Sequence, residues 1–409
     1  MRWTAGHVIV AIIVAVAAGT CLAADKSPDL APTPSDPVPE ANAFAASLYG
    51  KLAAGEGNLV FSPCSISTAM AMAYVGAKGK TAEEMAAVMH FDLDAAKTCD
   101  ASEALLKSLT GDSVPRGCQL SVANALWGQK GYGFLPDFLA RLKKSFGAGL
   151  IETDFAKDAE GSRGRINAWV EKETQAKIKD LIGPGVLGAD TRLVLANAIY
   201  FKGTWATPFP KAATQNADFH LAGGRKISAA TMRLTHAFPY MENGACQAVE
   251  MPYKDTSLAM LLFLPKKADG LADLEKSLAR GKLAEWLPKL KAAEVLVALP
   301  RFQMTGRLEL AKTLADAGMP TAFDPAAADF SGMNGGQGPL FLGAVIHKAF
   351  LEVNEEGTEA AAATGAALSL GEDFYQPRIF RADHPFIFLI RDTKSGAILF
   401  MGRLANPKP

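Results

Sequence analysis

The sequence predicts an α+β protein built on large, mostly antiparallel β-sheets. Three observations support this fold class. Apolar residues recur at helical spacing through the first half of the chain, long apolar runs typical of strands covered on both faces follow, and two such runs around a turn end the chain. With 409 residues, 49% of them hydrophobic and 21% charged, the chain can bury a sizeable core.

Three helices are predicted in the first part of the chain. Apolar residues recur at helical spacing over residues 42–54. Ser62 and Pro63 stand where an N-cap and a first-turn proline belong, so a second helix is expected to begin there. Thr81, with Glu84 three residues later, has the spacing of a capping box and predicts the start of the third helix.

Residues 166–182 predict a further helix with one apolar face. Charged residues occupy the opposite face, so this helix is expected to pack on the rest of the core. The apolar face is formed by Ile166, Trp169, Val170, Ile178 and Leu181.

The second half of the chain predicts long, buried strands. Residues 192–205 and 257–266 are nearly continuous apolar runs, which is typical of central strands covered on both faces. Residues 384–404 predict a hairpin of two buried strands around a turn at residues 392–396.

The first 24 residues have the organisation of a secretory signal peptide. An apolar stretch over residues 8–18 follows an early arginine, and small residues lead to Ala23 and Ala24, where cleavage is expected. An uncleaved membrane anchor is the main alternative, although the apolar stretch is barely long enough to span a bilayer. Lipidation at Cys21 is a third interpretation. All three imply export, so a secreted or extracytoplasmic protein is expected, with the periplasm and the cell surface both open.

The remainder of the chain divides into a linker and one domain. Residues 25–40 are rich in proline and lack an apolar period, which predicts an extended, semi-rigid linker. Residues 41–409 contain no comparable linker, charge block or repeat, so a single domain is expected there.

Once Cys21 leaves with the signal peptide, four cysteines remain. Cys64 and Cys246 lie inside apolar runs and are expected to be buried free thiols. Cys99 and Cys118 flank a polar stretch and are candidates for a disulfide in an exported chain.

Charge and motifs exclude several function classes. The chain has 42 basic and 42 acidic residues, so its net charge does not favour a nucleic acid or anionic lipid partner. No CxxC or HExxH spacing and no phosphate-binding loop is present, so neither a metal nor another cofactor is expected. There is also no GxSxG motif, and the histidines have no adjacent nucleophile motif, so no catalytic residues are assigned and an enzyme is disfavoured.

The segment NEEGTEAAAATGAALSLG at residues 354–371 is unusually bland. An alanine-rich helix capped at Thr358 and a simple loop are two interpretations. A third follows from alternate residues: from Thr358 to Leu368 they are all small or apolar, and the one charge in this run, Glu359, belongs to the other set. Proline first recurs at Pro377, so the backbone donors that a central strand needs are present. The segment has the composition of a loop that can become a strand.

Residues 354–364, NEEGTEAAAAT, resemble the hinge of the inhibitory serpins, which belong to the serine protease inhibitor superfamily. Other segments resemble serpin segments in the expected order, and together they span nearly all of residues 41–406. These segments are residues 58–85, 121–131, 193–209, 344–364 and 380–407.

The resemblance implies the serpin fold, with three β-sheets, eight or nine helices and an exposed reactive-centre loop at about residues 355–379. A target protease attacks this loop as a substrate, and the serine or cysteine of the protease becomes acylated. Before deacylation the cleaved loop inserts into the main sheet as a new strand, which is itself an established example of strand addition and switching. Such an inhibitor has a metastable native state.

The resemblance also implies roles for individual residues. The hinge of the loop comprises Glu355, Glu356, Gly357, Thr358, Glu359, Ala360, Ala361, Ala362, Ala363 and Thr364. The top of the main sheet, the breach, is held by Trp205 and by Arg301 paired with Glu355. The central hydrogen-bonded cluster that guards sheet opening, the shutter, comprises Ser62, Ser65, Asn197 and His347. Without the resemblance, Asn197 and His347 would be interpreted as satisfied polar groups of the core.

The scissile bond is expected between Gly371 and Glu372, at the usual spacing from Glu355. Counting back from Phe380 shifts the bond by two or three residues, so neighbouring bonds stay open. The wider window includes Leu370, Asp373, Phe374 and Tyr375.

The loop also limits the class of target protease. No arginine or lysine lies between positions 354 and 376, which disfavours trypsin-like targets. Cleavage after Leu370 or Phe374 suits chymotrypsin-like, elastase-like, subtilisin-like and cathepsin-type proteases, whereas cleavage after Glu372 or Asp373 suits glutamyl or aspartyl specificities.

Heparin binding, the oligomeric state and a non-inhibitory role were also considered. Acidic residues outnumber basic ones over residues 91–112, which match the usual glycosaminoglycan helix, so heparin binding is not expected. A monomer is expected. The alternative is a non-inhibitory serpin that acts as a carrier, storage protein or chaperone, although such proteins often have bulky, charged or proline residues in the hinge.

Overall fold

The computed structural model describes residues 38–110, 117–147, 149–356 and 376–408. All of these residues belong to one unit, Asp36–Pro409. The helices are α1 (Val38–Leu52), α2 (Pro63–Tyr74), α3 (Gly79–Met89), α4 (Ala95–Thr110), α5 (Pro136–Phe146), α6 (Ala159–Glu173), α7 (Leu271–Ala279), α8 (Lys282–Trp286), α9 (Leu310–Ala317) and α10 (Ser331–Asn334).

Strands dominate the part of the chain that follows α6. The strands are β1 (Leu59–Phe61), β2 (Cys118–Gln129), β3 (Leu150–Thr153), β4 (Leu193–Gly203), β5 (Gln215–His220), β6 (Lys226–Glu242), β7 (Cys246–Pro252), β8 (Leu258–Pro265), β9 (Lys291–Pro300), β10 (Phe302–Glu309), β11 (Leu342–Val353), β12 (Arg378–Arg381), β13 (Phe386–Asp392) and β14 (Ile398–Leu404).

The described strands form two hydrogen-bonded sheets. The five-stranded sheet has the order β10-β11-β4-β2-β3, in which β11–β4 and β2–β3 are parallel pairs and the other pairs are antiparallel. The nine-stranded sheet has the order β1-β14-β13-β8-β7-β6-β9-β12, with β5 beside β6, and its pairs are antiparallel except β9–β12. The predicted α+β class with large, mostly antiparallel sheets is confirmed.

The described strands form two sheets, whereas three were expected. The reason is that one long strand, β6, joins two groups of strands into a single sheet. β6 has 17 residues and pairs with β9 over most of its length and with β7 at its end. Eight of the described helices have eight residues or more, and the remaining two, α8 and α10, are short.

The five-stranded sheet is covered on both faces, as the apolar sequence of its central strand requires. All residues of α2 are buried, and this helix packs between β4 of one sheet and β14 of the other. The opposite face of the five-stranded sheet packs against α6 and the turn that follows it. Every residue of β4 except Lys202 is therefore buried, and the predicted central strand at residues 192–205 is confirmed.

The other predicted strands are confirmed with small changes in their ends. β8 occupies most of the predicted segment 257–266 and is almost entirely buried. β13 and β14 form the predicted terminal hairpin as an antiparallel pair. Both strands lie inside the nine-stranded sheet, which explains their continuous apolar sequence.

The predicted helix over residues 166–182 is wrong in its second half, because α6 ends before Thr174. The Thr174 hydroxyl accepts the backbone N–H of Ile178 at 3.1 Å, and Gln175 and Ala176 both adopt positive φ. These contacts turn the chain. The turn lies on the same face of the sheet as α6, so the later apolar residues of the predicted stripe remain buried.

The predicted capping box is also wrong. α3 begins at Gly79, which places Thr81 inside the helix. The Thr81 hydroxyl accepts the backbone N–H of Asp329 at 2.9 Å, and the Glu84 carboxylate accepts the backbone N–H of Thr321 at 3.0 Å. Both side chains therefore connect the helix to distant parts of the chain and do not cap it.

The first described helix begins earlier than expected. α1 starts at Val38, so the last residues of the predicted 25–40 linker are helical, and Pro39 is tolerated because it lies in the first turn. Residues 25–37 and the predicted signal peptide, residues 1–24, lie outside the described residues. Among the helices that are described, none has the length and hydrophobicity needed to cross a membrane.

The four remaining cysteines are free thiols. Cys64 and Cys246 are buried, as predicted. The candidate disulfide between Cys99 and Cys118 is not formed: Cys99 is buried on α4, Cys118 begins β2, and neither is bonded to another cysteine. Burial raises the pKa of the Cys118 thiol to about 12, so it is protonated at neutral pH.

A buried ion pair connects the last strand to a distant helix. Arg403 of β14 lies 2.8 Å from Glu275 of α7, and their side chains are 6% and 13% exposed. The guanidinium also donates to the carbonyls of Ala53 and Gly57 at 3.0 and 2.8 Å. The pair therefore fixes the turn after α1 between two other elements.

The substitution Glu275→Gln is expected to lower the free energy of unfolding by about 3 kcal/mol, because Arg403 keeps its buried charge and loses its counterion. Urea unfolding followed by circular dichroism measures this loss. Asp273→Asn is the matched control on the same helix, since Asp273 is 87% exposed, and its effect should stay below about 0.5 kcal/mol. Equal losses in the two variants would contradict the assignment.

Candidate functional site

Two parallel strands in the middle of the five-stranded sheet pair directly with each other. β11 lies beside β4 from the pair Leu342–Leu193 to the pair Leu351–Phe201, with one register shift after Leu342. Parallel ladders have slanted hydrogen bonds and are slightly less stable per residue than antiparallel ladders. We call this boundary between β4 and β11 the seam.

The chain leaves the sheet at one end of the seam. β11 ends at Val353, and Asn354–Glu356 lead to positions 357–375, which lie outside the described residues. The chain is described again from Gln376 and then joins the other sheet as β12. A segment that turned back after Val353 would run antiparallel to both β11 and β4, so the seam can accept it as a central strand.

The first residues after β11 are hydrogen-bonded to the segment that follows β4. The indole Nε1 of Trp205 donates to the carbonyl of Asn354 at 2.9 Å, and the main-chain N–H of Trp205 donates to the carbonyl of Glu356 at 3.2 Å. The N–H of Phe209 donates to the carbonyl of Glu355 at 2.9 Å. Trp205 is itself buried among aromatic rings, so these residues are held by a fixed partner.

The side chains of the same residues make polar contacts. The Glu355 carboxylate is 8% exposed, accepts the hydroxyl of Thr214 at 2.8 Å and lies 3.4 Å from Nε of Arg301. Glu356 forms an ion pair with Lys211, and its hydrogen bond and charge raise the pKa of that lysine. Because Glu355 is nearly buried, its partners are required to offset the desolvation of its charge. We call Trp205, Thr214, Arg301 and Glu355 the exit cluster.

A row of polar side chains crosses the middle of the sheet. Asn124 of β2 and His347 of β11 are both directly opposite Asn197 of β4. The Asn197 amide nitrogen donates to Asn124 Oδ1 and to the hydroxyl of Ser65, the latter at 2.6 Å. His347 Nδ1 is hydrogen-bonded to Asn197 Oδ1. We call Asn124, Asn197 and His347 the central row.

The N-terminus of α2 contributes the remaining hydrogen bonds of this network. Ser62 is the N-cap of α2, as predicted, and its hydroxyl accepts the backbone N–H of Ser65 at 3.1 Å. The backbone N–H of Ser62 donates to His347 Nε2 at 3.1 Å. Since Nε2 accepts, the ring proton is on Nδ1, which donates to Asn197.

Burial keeps His347 neutral. The ring has no exposed surface, and desolvation lowers the pKa of His347 to about 3. A proton added at Nε2 would face the N–H of Ser62, so the charged ring would lose a hydrogen bond as well as its compensation by water. The network across the seam therefore depends on a neutral histidine.

The predicted site residues fall into two groups and an undescribed remainder. The structure brings Arg301, Trp205 and Glu355 together in the exit cluster. It also brings the four predicted shutter residues together around α2 and the seam. The remaining hinge and scissile-bond residues lie outside the described residues: Gly357, Thr358, Glu359, Ala360, Ala361, Ala362, Ala363, Thr364, Leu370, Gly371, Glu372, Asp373, Phe374 and Tyr375.

Three residues that contact the predicted site residues were not predicted from the sequence. Thr214 binds Glu355 and Lys211 binds Glu356, and neither residue has a local sequence signal. Asn124 has one: the tripeptide Ala-Asn-Ala occurs at residues 123–125 and again at residues 196–198. In the sheet the two asparagines pair directly.

Comparison with known proteins agrees with this architecture. The family model described as serpin (serine protease inhibitor) matches residues 39–407. An uncharacterised serpin-like protein of Thermococcus kodakarensis is 42% identical over 371 residues, which cover 90% of this chain and 85% of that protein. The human leukocyte elastase inhibitor is 40% identical over 364 residues, which cover 86% of this chain and 93% of that protein.

A solved structure has the same fold. The native stressed conformation of an Arabidopsis serpin matches with a TM-score of 0.80 and 28% identity, covering 90% of this chain and 97% of that one. Family and relatives together indicate a protease inhibitor and not a catalytic enzyme. The chain belongs to the serpin family of serine protease inhibitors.

Proposed function

We propose that the chain inhibits its target protease as a suicide substrate. The protease nucleophile forms a bond to the carbonyl carbon of the scissile residue, the peptide C–N bond breaks, and the new amino terminus takes the proton. The amino-terminal part of the loop then enters the seam as a strand and carries the acylated protease with it. The observation that carries this proposal is the direct parallel pairing of β4 with β11, at whose end the hinge begins.

The energetics of such an insertion are favourable. It replaces one parallel ladder by two antiparallel ones. β11 has 12 residues, so a strand of similar length adds on the order of ten backbone hydrogen bonds, each worth about 0.5–1.5 kcal/mol net. Their sum is comparable with the whole stability of a typical domain, roughly 5–15 kcal/mol. The uninserted protein is then held by a kinetic barrier.

The exit cluster and the central row are the contacts that would supply this barrier. Both cross the seam: the exit cluster connects the segments that follow β4 and β11, and the central row connects the strands themselves. A strand that enters the seam must break both. The two clusters therefore correspond to the proposed breach and shutter.

The hinge sequence suits rapid entry into the sheet. Gly357 supplies backbone freedom at the pivot. The alternate residues from Thr358 onward are small, so an entering strand buries no ion on that face. Insertion must be faster than deacylation of the protease.

An elastase-like serine protease is the proposed target. Several relatives that are about 40% identical are named leukocyte elastase inhibitors. Positions 355–375 contain no lysine or arginine, and the residues before the proposed scissile bond Gly371–Glu372 are small or apolar, which elastase-like and chymotrypsin-like proteases accept.

The remaining parts of the proposal concern location and other ligands. The leader sequence supports action outside the cytoplasm, and insertion within one chain requires no second copy, so we propose an exported monomer. Heparin has no part in the proposal, because Lys97 and Lys107 on the described part of α4 form ion pairs with Asp92 and Glu103.

A non-inhibitory serpin is the second candidate. It would share the seam and both clusters, but its hinge would not need to enter the sheet. The run of small residues after Glu359 favours the inhibitor. Incubation with proteases distinguishes the inhibitor from the non-inhibitory serpin.

Incubation with elastase-like, chymotrypsin-like and subtilisin-like proteases is expected to give a covalent complex that survives denaturing electrophoresis at the summed mass. Cleavage at the proposed bond also releases residues 372–409, whose mass fixes the scissile residue. A trypsin-like protease is the control and should form no complex. Loop cleavage that neither gives a complex nor raises the thermal stability of the cleaved protein would contradict insertion.

The substitution Thr358→Arg is expected to raise the stoichiometry of inhibition by at least about tenfold, because a charge must enter the sheet interior and insertion becomes slower than deacylation. Titration of active protease against inhibitor measures it. Glu359→Arg is the matched control. In the inserted strand, residue 359 would lie on the opposite face from residue 358, and the wild type already has a charge at that position. If the two variants lose inhibition equally, the strand does not enter with the proposed parity.

Stability is expected to fall with acid through His347. The unfolded histidine binds a proton below about pH 6.5, whereas the folded ring binds one only near its pKa of about 3. Between these values the unfolded state holds more protons, so lowering the pH from 7.5 to 5 should cost about 2 kcal/mol of stability. Urea unfolding at each pH measures this loss.

The variant His347→Gln is expected to remove this part of the pH dependence, while His236→Gln, which changes an exposed histidine, should keep it. An unchanged slope in His347→Gln would show that the buried ring is not its source.

A further inference from the structure

A cavity lies at the side of the five-stranded sheet. It has a volume of about 630 Å³, which is within the range of small-molecule sites. Its walls come from β2, β3, α4, α5 and α6, and it shares only Asn124 with the central row and nothing with the exit cluster.

The cavity meets the edge of β2 and not one of its faces. Four consecutive residues, 122–125, line it. Ala123 and Ala125 belong to the face that packs towards α6, and Val122 belongs with the core on the other face. Side chains of successive residues point to opposite faces, so a cavity lined by both sets lies along the strand edge.

This edge has no neighbouring strand in the described part of the chain. β2 pairs with β4 from Cys118 to Gly128, whereas it pairs with β3 only from Leu126 to Gln129. The backbone N–H and C=O groups that point outward from residues 122–125 therefore face the cavity. Such groups are a template for an added strand.

The entry of the chain into β3 leaves the space open. α5 ends at Phe146, and Gly147 follows in a left-handed conformation with φ of 60°. Gly147 and Gly149 both line the cavity, and a Cβ at either position would meet nothing within 4 Å. Neither of these glycines fills the space beside β2, and β3 pairs with β2 only from Leu150 onward.

The lining carries one charge of each sign that has no ion-pair partner among the described residues. Lys107 forms an ion pair with Glu103. Lys144 of α5 and Glu173 of α6 form no ion pair with any described residue. The charge of Lys144 only contributes to lowering the pKa of Glu103. Trp169 also lines the cavity, and it packs edge-on against another indole. The lining therefore combines an aromatic ring with one available charge of each sign.

We propose that this cavity binds short zwitterionic peptides in an extended conformation. The peptide backbone pairs with the edge of residues 122–125, its carboxyl end meets Lys144, its amino end meets Glu173, and an apolar side chain covers Trp169. Backbone pairing supplies affinity that is independent of sequence, and the charges fix the direction of the peptide. The site does not depend on the proposed inhibition.

Peptide binding at this site would also affect the central row. Asn124 lies within the paired stretch, and its side chain accepts a hydrogen bond from Asn197. A peptide that orders the edge of β2 therefore restrains one end of the row that crosses the seam.

The test uses the full chain and the peptide Ala-Phe-Ala-Ala with free termini. Isothermal titration calorimetry is expected to show saturable binding, and blocking both termini by acetylation and amidation should weaken it at least about fivefold, because both charge contacts are lost. Hydrogen exchange of the backbone amides of residues 122–125 should slow when the peptide is present.

Two lysines that are adjacent in sequence provide the matched variants. Lys144→Glu is expected to weaken binding at least about fivefold, whereas Lys143→Glu should have no effect, since Lys143 is exposed and does not line the cavity. Both changes are on the surface of α5, so neither should affect folding.

Three results would overturn the proposal. They are the absence of saturable binding up to about 10 mM peptide, equal weakening by the two lysine variants, and equal affinity for the free and the blocked peptide. Because no protease is present, failure here leaves the inhibition experiments unaffected, and failure of those experiments leaves this one intact.

Discussion

The parallel pairing of β4 with β11 is the constraint on which the rest of the structure depends. Two parallel strands without an antiparallel strand between them leave a position in the middle of the sheet that the chain could fill, since the hinge leaves from the end of β11. Parallel pairing is slightly less stable per residue than antiparallel pairing, and polar contacts connect the elements on both sides of it. The buried N-cap of α2, the exit cluster and the central row all lie on this seam.

The contacts across the seam are polar, and this has a physical reason. An apolar row would lose only its dispersion contacts as the strands separate, each atom pair being worth about 0.1–0.2 kcal/mol. A hydrogen bond between buried groups is lost within a small displacement, and each unmatched group then costs about 1–3 kcal/mol. His347, Asn197 and the N-cap at Ser62 are matched only when the strands are in register. In the proposed mechanism, a polar row would therefore give a steep barrier to separation of the strands.

Sequence reasoning identified the features whose signal is local and missed those that depend on distant partners. Apolar runs located the central strands and the terminal hairpin, because burial on both faces leaves a continuous pattern. The end of α6 at Thr174 and the contact of Thr81 with Asp329 depend on parts of the chain that no local spacing reveals. Asn124 carried a signal in the repeated tripeptide that it shares with Asn197, but only the strand register shows that the two are neighbours.

The two ends of the loop explain why cleavage would be required for full insertion. The loop begins at the five-stranded sheet and returns to β12 in the other sheet, and 19 positions, 357–375, separate the described ends. A strand beside all of β11 uses about 12 of them and extends roughly 40 Å along the sheet. The remaining seven span at most about 25 Å, so the intact loop is limited by its second attachment. In the proposed mechanism, cleavage would leave the segment attached at one end only, and antiparallel pairing with β4 and β11 would then be available over its whole length.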